Sequence, residues 1–266
     1  PPDDPVLSAR IEKINKEGVL EELYDFHAHL NTNTASSPRL VPSDADIWAR
    51  WSGESVIITQ VRPPSAADRA GLRPGMQITS INGVPIADAT RTRIGRSLRR
   101  HDRGARDWAL LASLAGKWNE PRVLGVVDAS GSRRIAIDDQ GSRAGSARKR
   151  LLESRHLERN FGYIRIHNSL GDLALVGQFD AALAALRSTR GLILDLRDTP
   201  SGGNTTVARG ILGRFATREM PYQRHLLPAE ERQHGVRRSW IELVSPRGSF
   251  AYTAPIVALV DHWTGS

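Results

Sequence analysis

The chain has 266 residues, a formal net charge of +8, 39% hydrophobic and 25% charged residues, and no cysteine. That composition is ordinary for a globular protein of one large or two ordinary domains. It excludes disulfides, thiolate zinc sites and a cysteine nucleophile, and no apolar run approaches the roughly 20 residues that span a bilayer.

In chain order, residues 6–30 have helical character, with Leu7, Ile11, Ile14, Leu20 and Leu23 near one stripe and Gly18 breaking it in two. Residues 31–42 are rich in Asn, Thr, Ser and Pro and read as a loop. Val56–Val61 is a strand, Arg62–Ser65 a turn, and Ala66–Ala70 a short helix that Gly71 ends. Gln77–Ile81 is a second strand, and Asn82-Gly83 marks a tight turn, because both central positions tolerate positive φ.

An arginine-rich helical stretch follows to Gly116, with Trp108, Leu110, Leu111 and Leu114 as its apolar positions. Lysine occurs only at 13, 16, 117 and 149, so the positive charge is almost all arginine. It is scattered and lacks interleaved aromatics, which points to a solvated basic face and to no nucleic-acid partner. Residues 123–127 and 134–137 predict a hairpin, and the Gly/Ser-containing basic stretch 140–150 a linker. Beyond it, strands at 161–166, 191–196 and 255–260 alternate with helices at 176–186 and 205–215, the pattern of a sheet covered by helices. The run 255–260 reads as a buried strand, and a serine follows the turn that leaves it.

The order strand, Pro-Ser-Ala-Ala, Ala-Gly-Leu, Pro-Gly, strand, Asn-Gly-x-Pro over residues 56–86 resembles a PDZ domain of the bacterial, protease-associated type. Such a domain adds an extended peptide to a sheet edge and holds its terminal carboxylate in a backbone nest. The resemblance puts that nest around Ile47, Trp48 and Ala49.

Phe161–Ile166, then Gly191–Asn204 with its Gly202-Gly203 turn, then Pro255–Ser266 ending in Thr264-Gly265-Ser266, resemble in order the core of the C-terminal processing (tail-specific) serine peptidases, which include the tricorn core. Thr199 and Ser201 depart from the family's Asn-Pro-Gly-Gly turn. The resemblance implies a mixed α/β (α+β) fold: a crotonase-like ββα core, an N-terminal helical segment and an inserted PDZ domain. It divides the chain into a helical segment at 1–42, a PDZ domain with an extended helical insertion at 43–139, a linker at 140–157 and a peptidase core at 158–266.

By the same resemblance Ser266 falls on the nucleophile, and Gly202 and Gly203 offer backbone N–H groups to an oxyanion. One branch of the family activates its serine with a lysine about two dozen residues downstream. The tricorn-like branch uses an N-terminal histidine and a downstream glutamate. Asp25-Phe26-His27 resembles that branch's Asp-x-His, which makes His27 the base, Asp25 an orienting group and His29 the competing ring. His27-x-His29 lacks further ligands for a metal, and neither metal nor cofactor is expected. The implied function is a serine endopeptidase acting on polypeptides or protein C-termini, with PDZ-mediated recruitment or gating. The alternative is a non-catalytic peptide-binding scaffold on the same fold. Family habit implies an exported, periplasmic location, although no signal segment of the basic-then-apolar type is present in the sequence.

Overall fold

The structure, a computed structural model, describes residues 38–94, 103–118, 120–138 and 150–265. It divides into two compact units, 1–145 and 146–266.

In the N-terminal unit, strands β1 (Ile47–Ser52), β2 (Ser55–Val61), β3 (Gln77–Ile81), β4 (Val84–Pro85), β5 (Arg122–Asp128) and β6 (Gly131–Ile137) form one sheet. Its order is β1-β2-β3-β5-β6, with β4 paired to β3. Helices α1 (Ala66–Arg69), α2 (Ile86–Arg91) and α3 (Arg103–Ala115) close it. Ser65 caps α1 by accepting from Asp68 N, as a serine before a short helix does. Asn82 takes the positive φ of 50° that its tight turn needs. The core gathers Ile47, Val56, Ile58, Leu72, Ile78, Leu110, Leu114, Leu124 and Val126. A buried ion pair crosses it: Arg122 Nη1 and Nη2 donate to Asp46 Oδ1 and Oδ2 at 2.7 and 2.8 Å, and Asp46 Oδ2 also accepts from Ala67 N.

The C-terminal unit contains β7 (Leu152–Leu157), β8 (Phe161–Ile166), α4 (Ala174–Ala185), β9 (Leu192–Asp195), α5 (Thr205–Leu212), β10 (Met220–Leu226), α6 (Pro228–His234), β11 (Ser239–Val244) and β12 (Ile256–Leu259). Its main sheet has the order β12-β9-β8-β7, with β8, β9 and β12 parallel and β7 antiparallel. Because side chains alternate along a strand, Ile164, Ile166 and Leu192 turn to one face. There they meet Leu175, Phe179 and Leu183 of α4 and Val207 and Ile211 of α5. β10 and β11 make a separate two-stranded sheet.

Three sequence expectations change. Residues 152–157, assigned to the linker, are strand β7, whose polar side chains hide a strand pattern that backbone pairing to β8 reveals. The sequence reads Val84-Pro85-Ile86 as the start of the next strand; Val84–Pro85 is strand, but Ile86 already begins α2. The run 255–260 is not buried: β12 lies at the sheet edge, with Ile256, Val257 and Val260 exposed among the described residues.

Candidate active site

At the carboxyl ends of the parallel strands β8, β9 and β12, the loops 167–170, 196–204 and 260–265 come together. The loop after β9 is shaped from below by Asp195, which is fully buried. Asp195 accepts from Tyr163 Oη at 2.7 Å, from Arg197 Nη2 at 2.7 Å and from Arg197 Nε at 2.9 Å. Burial alone would raise this carboxyl, but the hydrogen bonds from Arg197 and Tyr163 outweigh it and hold it far below the ordinary carboxylate range. In return, burial and the bond to Asp195 push the Tyr163 phenol up, and the bond to Asp195 raises Arg197.

A second aspartate ties this loop to the turn after β12. Asp261 Oδ1 accepts from Trp263 N at 2.9 Å within its own turn and from Asp198 N at 3.2 Å across the gap. Thr264 Oγ1 accepts from Asp261 N at 2.9 Å and lies 3.1 Å from Leu196 O, to which its proton can go. Gly265 N donates to Thr199 O at 2.9 Å. The two turns touch so closely that a Cβ on Gly265 would lie 2.7 Å from Pro200 O and 2.9 Å from Gly202 N. Trp263, 1% exposed, anchors the turn.

Gly202 adopts φ 67°, a left-handed conformation that glycine takes without strain. A Cβ on Gly203 would stand 3.2 Å from the Leu170 side chain, so the second glycine answers a close approach. Neither Gly202 N–H nor Gly203 N–H donates to a described residue, whereas Asn204 N donates to Leu170 O. The Asn204 side chain then caps α5 by accepting from Thr206 N. The result is two glycine N–H groups before a helix N-terminus, a geometry that suits an anion.

The two departures from the family turn are absorbed locally. Thr199 Oγ1 donates to Leu196 O at 2.7 Å, and its carbonyl holds Gly265. Ser201 N donates to Asn168 Oδ1 while Asn168 Nδ2 donates to Ser201 Oγ, both at 2.9 Å. Asn168 and Asp261 were not singled out in the sequence. Their signals were a polar residue just after a strand and an aspartate opening a turn, which countless loops share.

Gly202 thus lies against Gly265, which precedes Ser266 in the sequence. Ser266, His27, His29 and Asp25 fall outside the described residues. Ile47, Trp48 and Ala49 open strand β1, with Ile47 and Ala49 buried in the core and Trp48 packed toward Val41, Ala45, Leu111 and Ala115. Their alternating apolar character is that of a strand. β1 is nevertheless an edge strand of its sheet. Among the described residues no group of His, Asp and Glu is arranged to hold a metal, and no helix is long and apolar enough to cross a membrane.

Residues 160–266 match the profile of peptidase family S41, and residues 57–104 match a PDZ domain. Mature CPAF, solved in complex with lactacystin, has a similar fold at 15% identity and a TM-score of 0.52, over 92% of this chain and 68% of that one. The photosystem II D1 C-terminal processing protease aligns at 16% identity with a TM-score of 0.45, over 84% of this chain. This chain spans 55% of that protease's length. No curated protein sequence gives a significant match. Within the residues that match that family profile, the loops from 196 to 204 and from 260 to 265 carry the geometry described above.

Proposed function

We propose that this S41 domain is the catalytic part of a serine endopeptidase that cleaves polypeptides, with Ser266 as nucleophile. The observation that carries the proposal is the seating of Gly265, the residue before Ser266 in the sequence, against Pro200 and Gly202, at a turn whose two glycine N–H groups have no described acceptor. Ser266 Oγ attacks the scissile carbonyl, and His27 takes its proton and returns it to the leaving amine. Gly202 and Gly203 hold the oxyanion of the tetrahedral intermediate. Water then hydrolyses the acyl-enzyme. Asp25 orients the base.

The PDZ domain recruits or gates the polypeptide, and the edge strand β1 is the surface on which an extended segment adds to the sheet. The crotonase-like layering of the core and an exported, periplasmic location belong to the same proposal; a chain without cysteine is compatible with an oxidising compartment.

Ser266→Ala in the full-length protein abolishes hydrolysis of an unfolded protein substrate. Undiminished cleavage would sink the assignment and leave a peptide-binding scaffold. His27→Ala stops turnover while His29→Ala does not; the reverse result moves the base to His29.

A further inference from the structure

Beside the loop that ends in Gly202 lies a cleft of about 400 Å³, within the range of ligand pockets. Arg165, Arg150 and Asn168 line it, together with Arg197 and Asp198 of that loop. Arg165 is in an unusual position. It lies on β8 between two carboxylates in register, Glu153 on β7 and Asp195 on β9. Neither pairs with it. Asp195 is taken by Tyr163 and Arg197. The Glu153 oxygens lie 3.6 Å from Arg155 Nη1 and 3.7 Å from His167 Nε2. Arg165 Nε is buried and has no hydrogen-bond acceptor, and the guanidinium forms no ion pair with a described residue.

A buried N–H without an acceptor is costly, and a guanidinium presents carboxylates with a rigid fork of donors. The arginine is therefore poised for an acceptor that the neighbouring carboxylates do not supply. The cleft is joined to the candidate oxyanion turn, because Asn168 on its wall is doubly hydrogen-bonded to Ser201, next to Gly202. The lining carries three arginines, Arg150, Arg165 and Arg197, of which Arg197 is held by Asp195, and two carboxylates, Glu153 and Asp198. The net charge of +8 favours the approach of an acidic chain.

We propose that this cleft is a specificity subsite that takes one acidic side chain of the polypeptide substrate, with Arg165 as its principal partner and Arg150 as the second cation. The proposal rests on the peptidase reading above and names the substrate class of that site.

The test uses the full-length protein and pairs of otherwise identical, C-terminally amidated peptides with Glu or Gln at each position flanking the scissile bond. At one position the wild type prefers Glu by roughly tenfold in kcat/KM, the scale of one charge-assisted hydrogen bond. Arg165→Gln brings that ratio close to one, Arg165→Lys retains much of it, and Arg165→Glu inverts it. The same Glu/Gln ratio in peptide binding to the Ser266→Ala protein, read by fluorescence anisotropy, is independent of turnover. A wild-type ratio near one at every position, an unchanged ratio in Arg165→Gln, or a preference that appears only with a free terminal carboxylate overturns the subsite. Cleavage persisting in Ser266→Ala overturns the serine reading instead, and the anisotropy ratio still judges the cleft.

Discussion

The N-terminal and C-terminal units each bury an aspartate against an arginine, and the two pairs act at different ranges. Asp46 and Arg122 are 76 residues apart, and their bidentate bond joins the entry to β1 with the start of β5. Arg122 Nη1 also donates to Leu114 O of α3 at 3.0 Å. Asp195 and Arg197 are two residues apart, and their bond bends the chain as it leaves β9. The first pair specifies which elements meet. The second shapes one loop inside an element order already set by apolar strands and helices. Asp261 extends the local pattern by fixing a second loop to the first.

Breaking the long-range pair is expected to have the largest effect. Arg122→Met leaves Asp46 buried without its cation and costs about 3–5 kcal/mol of N-terminal unit stability. Denaturant unfolding should show that loss in the N-terminal transition alone; a shift in both transitions would mean that the pair also matters to the C-terminal unit.

The next largest effect falls on the site. Gly265→Ala places a methyl 2.7 Å from Pro200 O, between two backbones with little freedom to move, and separates the turns. A displacement of that kind costs roughly a hundredfold in kcat with the fold intact. A fully active alanine variant would mean that the contact is looser than described.

An acid titration probes a third carboxylate. Asp180 accepts from Arg214 Nε at 2.8 Å and Arg247 Nη1 at 2.7 Å. Burial would raise its carboxyl, but the bonds from Arg247 and Arg214 outweigh this and lower it from 3.8 to about 2. Because the folded value is the lower one, the stabilisation is fully present above about pH 4 and is lost as pH falls through about 2. It amounts to roughly 2 kcal/mol. Asp180→Asn should flatten the acid limb of C-terminal unit stability between those values, and an unchanged limb would remove Asp180 from the account.

The smallest effect is at the clasp. Asp261→Ala removes the acceptor shared by Asp198 N and Trp263 N and lowers kcat by roughly tenfold with KM unchanged. Asp261→Asn, which keeps an acceptor oxygen, restores most of the rate. Equal loss in both variants would assign Asp261 a charge effect rather than a positioning one.

Much of the architecture was legible because it follows from local rules. Asn82-Gly83, Ser65 before α1 and the apolar runs of β2, β3, β8 and β9 each state their own conformation. β7 was not legible, because Glu153, Ser154, Arg155 and His156 present no apolar face. The hairpin β10–β11 was missed as well: of its residues only Val244 is buried, so burial writes little periodicity into it.

At the site, the sequence alone pointed to the Gly202-Gly203 turn and to the turn that leaves residues 255–260, since small residues in a particular order suit such bends. Tertiary structure alone decided that Gly265 rests on Pro200–Gly202, that Asp261 reaches Asp198, and that Arg165 is left without an acceptor between two carboxylates. Those facts depend on parallel pairing of β9 with β12 and of β8 with β9. Parallel neighbours join residues dozens of positions apart, and no local preference along the chain records which side chains they will bring together.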